Sequence, residues 1–129
     1  MSAILLDAVR RYATAHADPT GHAQTPIDGL TIIRATEPSG LVHAISRPLV
    51  CLVLQGRKQV TMGTQTFTFG AGDSLLISAD VPTVSQIITA IAEAPYYSLV
   101  LELETAVITE LSVQMKTEAD SQVAPVRVE

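Results

Sequence analysis

The residues able to do chemistry are few and scattered. The chain has three histidines, His16, His22 and His43, and a single cysteine, Cys51. A metal site needs three or four convergent ligands, and no His-x-His pair occurs. Cys51 sits in the apolar run "LVCLVL". A reactive thiolate wants a basic neighbour or a helix N-terminus, and free Cys in apolar surroundings is among the most buried residue types. No Gly-x-Ser-x-Gly elbow presents an activated serine. The expectation is a chain with no catalytic residue, no metal and no cofactor.

The stretch "LQGRKQVTMGTQTFTFGAGD" holds four glycines, Gly56, Gly63, Gly70 and Gly72. Two phosphate-binding patterns fail here. No Gly is followed by Lys and then Ser or Thr, as a P-loop requires. "GAGDSL" puts Leu75 where a dinucleotide fingerprint needs its third glycine, and a strand pattern follows. Corners of a β-structure fit better. Gly63-Thr64 joins two alternating runs and suits a type II′ hairpin. Val60 and Met62 then share a face with Phe67 and Phe69, while Thr61, Thr66 and Thr68 point away. Asp73 is placed to accept backbone N–H bonds in its own turn, a structural role.

The elements that must position any site follow the same logic. Residues 2–16 have helical spacing in Ile4, Leu5, Ala8, Val9 and Tyr12, with Ser2 as cap. "ADPTG" ends that helix, and "HAQTPIDG" reads as a polar loop. From Leu30 to Glu104 come eight short runs rich in Val, Ile, Leu, Thr and aromatics, separated by Gly, Pro, Asp and Ser. That is the pattern of a sandwich or barrel. "TAVITELSVQMK" returns to helical spacing through Val107, Ile108, Leu111 and Met115. The expected layout is a helix and loop over 1–22, a barrel over 23–104, and a helix and tail over 105–129, all one mostly β domain.

Composition narrows the function classes. The chain has 129 residues and a net charge of −5. Its basic pairs, Arg10-Arg11 and Arg57-Lys58, make no stripe for a nucleic-acid backbone. One cysteine forms no disulfide within a chain, which suits a reducing cytoplasm. The N-terminal run lacks a basic lead and is broken by Asp7, so it does not read as a signal peptide. No apolar stretch is long enough for a membrane helix.

The stretch from Gln55 to Pro82, with its spaced glycines, Phe69, Gly72-Asp73 and "DVP", resembles the centre of a cupin, a small jelly-roll barrel. Enzymatic cupins carry a His-x-His pair and a further His after the Pro; here Thr83 follows Pro82. A narrower resemblance rests on Arg47-Pro48, Cys51, Gln55-Gly56, Lys58, Gly63, Gly70, Gly72-Asp73, Ser78, Asp80, Pro82 and "APY" at Ala94–Tyr96. These are similar to the N-terminal domain of AraC-type transcriptional regulators. The resemblance covers about Ile27 to Met115. It implies a domain that senses a small-molecule effector and helps form a homodimer. It implies DNA binding only through helix-turn-helix units, which are missing from this chain. The alternative is a small stand-alone cupin enzyme, an isomerase or a metal-dependent dioxygenase.

The strand "LVCLVLQ" allows two parities: Cys51, Val53 and Gln55 inward, or Val50, Leu52 and Leu54 inward. Both faces are apolar, so periodicity does not choose between them. In sugar-sensing relatives the position before the first glycine points into the pocket, which implies Gln55 here. The same comparison implies Tyr97 and Leu99 as inward residues, with Val53, Val84, Gln86 and His43 as further ligand-binding candidates.

Overall fold

The computed structural model describes residues 3–103, 110, 113 and 114. Helix α1 spans Ala3–His16 and is followed by nine strands. They are β1 His22–Gln24, β2 Leu30–Ala35, β3 Val42–Ser46, β4 Leu49–Gln55, β5 Arg57–Met62, β6 Gln65–Phe69, β7 Ser74–Ile77, β8 Val81–Thr89 and β9 Tyr96–Glu102. They form a five-stranded sheet, β1-β2-β9-β4-β7, and a four-stranded sheet, β3-β8-β5-β6. Every pairing is antiparallel. The result is the expected cupin-like jelly roll, mostly β with an N-terminal helix. The expected C-terminal helix and the Ser2 cap lie outside the described residues.

The eight apolar runs became β2 to β9, in order. One expectation was wrong: His22–Gln24 is not loop but a short edge strand paired with Thr31–Ile33. Three residues bounded by Gly and Pro carry too little alternation to show in sequence. Their only apolar member, Ala23, is fully buried beneath α1.

The core has two compartments, divided by the five-stranded sheet. Between the sheets, Cys51, Val53, Leu75, Ile77 and Tyr96 meet Val60, Met62 and Phe69 from the four-stranded sheet. On the outer face, Val9 and Ala13 of α1 press onto Ile32, Leu54 and Tyr97. Four-residue spacing puts Val9 and Ala13 on one stripe of the helix. Each fully buried apolar side chain of this size contributes about 1.5–3 kcal/mol, so both compartments matter to stability.

The glycine-rich stretch forms two corners, as its turn chemistry implied. Met62 pairs with Gln65, leaving Gly63-Thr64 as the connection. Gly63 has φ +60 and no described non-glycine residue has positive φ, the pattern a type II′ turn requires. Thr61 and Thr66 oxygens meet across the strands at 2.9 Å. In the second corner the Gly70 amide donates to Asp73 Oδ2 at 2.9 Å, and the Asp73 amide donates to the Gly70 carbonyl at 3.0 Å. Asp73 also ties this turn to β4, its carbonyl accepting from the Val53 amide at 3.0 Å. Asp73 is a turn residue.

Candidate functional site

The two sheets do not fill the space between them. A cavity of about 350 Å³ remains inside the barrel, at the lower end of the range for small-molecule sites, about 300–1,000 Å³. Its floor includes Tyr96, 0% exposed, and its rim includes Val42, 53% exposed, so it runs from the core to the surface. Strand alternation explains the walls. Lys58 and Val60 of β5 stand beside Thr83, Ser85 and Ile87 of β8, at positions two apart on each strand. Cys51 of β4, Leu75 and Ile77 of β7, and Tyr96 and Val100 of β9 close the opposite side.

Half of the lining residues are polar, and several are already engaged. The Ser46 and Thr83 hydroxyls share a hydrogen bond of 2.7 Å. The segment before β3 is pinned to β8: the Ile87 amide donates to Ser39 Oγ at 2.9 Å, and Gln86 Nε2 to the Ser39 carbonyl at 3.3 Å. Tyr96 is different. Its hydroxyl is buried with no hydrogen-bond partner, and so is that of Ser98, two residues along the same strand. Burial pushes the Tyr96 phenol well above its ordinary range, and the adjacent Cys51 thiol adds to this. Ser98 draws it part of the way back without reaching good hydrogen-bond geometry. The phenol therefore stays protonated, a donor lacking an acceptor. Leaving such a group unsatisfied costs about 1–3 kcal/mol.

Of the expected ligand-binding residues, only Gln86 lines this cavity. Val53 lies in the barrel's closely packed core. His43 and Val84 lie on the outer side of the four-stranded sheet, in a concavity shared with Thr61 and Pro82. Tyr97 and Leu99 were expected to face inward. They pack instead beneath α1, and the inward positions of β9 belong to Tyr96, Ser98 and Val100. Gln55 is displaced for a specific reason. The parity with Cys51 and Val53 inward is the one adopted, yet the register of β4 on β9 shifts between Val53 and Gln55. This bulge puts Gln55 opposite Tyr97, on the helix side, where its Nε2 donates to the Pro95 carbonyl at 2.8 Å.

Most of the cavity residues went unread in the sequence, Lys58 and Tyr96 among them. Lys58 had a usable signal: the alternation that turns Val60 and Met62 inward extends back to residue 58. Tyr96 had none, because "APYYS" offers either tyrosine equally. Among the described residues no group of three or more His, Cys, Asp or Glu gathers as a metal site. No helix among them is long and apolar enough to cross a membrane.

Fold and cavity together define a barrel with an internal cavity of small-molecule size. Residues 26–129 match the family described as AraC-type transcriptional regulator N-terminus, and the chain belongs to that family. No curated protein matches it. Its fold is similar to a cupin superfamily protein from Desulfitobacterium hafniense, at 16% identity over 63% of this chain and 72% of that one, with a TM-score of 0.48. A cupin 2 conserved barrel domain protein from Salinispora arenicola is 13% identical over 78% of this chain and 92% of that one, with a TM-score of 0.44.

Proposed function

We propose that the chain is the effector-sensing and dimerisation domain of an AraC-type transcriptional regulator, without enzymatic activity of its own. The observation that carries this is an internal cavity of small-molecule size in a member of that family. DNA would be bound in the cytoplasm by a helix-turn-helix part of the regulator, since this acidic chain presents no basic stripe of its own. Effector binding between the sheets would then bias the arrangement of subunits, a coupling between two sites.

The test is a thermal-unfolding screen of the purified chain against a broad metabolite panel, run beside sedimentation at several concentrations. A ligand at one hundred times its Kd stabilises by about 2.7 kcal/mol, which displaces the unfolding temperature by several degrees. At least one metabolite is expected to do so, and a reversible dimer is expected in sedimentation. A panel-wide lack of stabilisation would sink the sensing reading. Stoichiometric transition metal in the purified protein, with turnover of a substrate, would favour the cupin enzyme instead.

A further inference from the structure

The charges around the cavity do not match those of the chain. The protein as a whole is acidic, with net charge −5. Yet the cavity lining contains Lys58 and no Asp or Glu, while Arg34 at its edge pairs opposite Tyr97 and so turns its side chain to the helix side. Lys58 shares the inward parity of Val60 and Met62, and no described ion pair engages it. The described ion pairs, Asp7 with Arg10 and Arg11, are on α1. Burying an ammonium part-way with no counter-charge is unfavourable. Lys58 thus stands without a counter-charge on a cavity walled by apolar residues of β4, β7 and β9.

Size limits what can enter. An apolar cavity of about 150 Å³ holds one benzene molecule. At about 350 Å³ this cavity has room for one ring and a short extension, or a chain of similar bulk. We propose that the cavity takes a small organic acid, its carboxylate facing Lys58 and its apolar body against β4, β7 and β8. This rests on the sensing reading above and names the class of its effector. The lysine supplies charge selectivity.

Calorimetric titration of the intact chain with benzoate, hexanoate, benzamide and hexanamide tests this. The two acids are expected to bind at least about tenfold more tightly than the matching amides, as a charge-assisted contact should. Lys58→Met is expected to bring acids down to the affinity of amides. Lys58→Arg, which keeps the charge, is expected to retain the preference. Amides binding as tightly as acids, or a preference surviving Lys58→Met, overturns the proposal while sensing stands. No binding by any of the four probes also overturns it, and the wider metabolite panel then decides on sensing separately. The acid-to-amide ratio of the unmodified chain is decisive even if a variant does not fold.

Discussion

The two faces of the five-stranded sheet are built from similar residues and end in different states. Its outer face is apolar and closed: Ile32, Leu54 and Tyr97 meet Val9 and Ala13 of α1. Of the polar ends there, the Tyr12 hydroxyl donates to the Gln24 carbonyl at 2.8 Å and Gln55 bonds to Pro95, while Arg34 Nε, opposite Tyr97, is buried without a partner. Its inner face is apolar as well but faces an unfilled cavity, and it retains two buried hydroxyls with no partner. A face covered by a helix can pack to the density of a crystal. A face covered by another sheet across a barrel can leave room. The same strands therefore make a stabilising surface on one side and a binding surface on the other.

The seam between the faces is the place to break this difference outright. Gly56 follows the bulge and has φ +82, and a Cβ there would meet the Thr89 carbonyl oxygen at 2.5 Å and Tyr96 Cα and Cβ at 3.1 Å. Gly56→Ala adds left-handed strain to a backbone clash and is expected to cost at least about 3 kcal/mol. Urea denaturation would show it, and a cost below about 1 kcal/mol would mean that the seam is not rigid.

Truncations on either side sharpen the contrast at smaller scale. Leu54→Ala, in the closed compartment, is expected to cost about 3 kcal/mol. Leu49→Ala, half-buried on the cavity wall, is expected to cost about 1 kcal/mol, because its side chain already lacks neighbours on one side. Equal costs would argue that the cavity collapses in solution.

The tyrosines give the subtlest test, with opposite signs. Tyr96→Phe removes an unsatisfied hydroxyl and is expected to raise stability by about 1 kcal/mol, whereas Tyr12→Phe removes a made hydrogen bond and should lower it by about 0.5 kcal/mol. The pH dependence follows from the raised Tyr96 phenol. In the folded chain it holds its proton where the unfolded phenol has lost it. Its contribution is fully present below the ordinary phenol value, 10.0, and is lost as pH rises beyond that. Thermal unfolding above pH 10 should fall less steeply in Tyr96→Phe than in the parent chain.

Much of the frame was legible in the residues alone. Alternation in "KQVTM" and "QTFTF", with Gly63 between them, is a local property, and the hairpin forms as that pattern requires. So is the Asp73 turn, whose hydrogen bonds span three residues. The helix over Ala3–His16 follows from its own stripe. The glycines that suggested a phosphate cradle turn out to be corners, as the failed motifs implied.

The site was less legible, because its geometry is not local. "LVCLVLQ" is apolar on both faces, so its sequence carries two equally good parities. Choosing between them depends on α1, which covers Leu52 and Leu54 from about forty residues away in the chain. Beyond Val53 even the correct parity misleads, since one bulge transfers Gln55 to the other face. What the sequence determined by itself was the strands β2 to β9, their turns and the family, all of which rest on short-range pattern. Only the tertiary structure decided which face of each strand looks into the barrel and that Tyr96, not Tyr97, stands at its floor, because facing is set by partners distant in sequence.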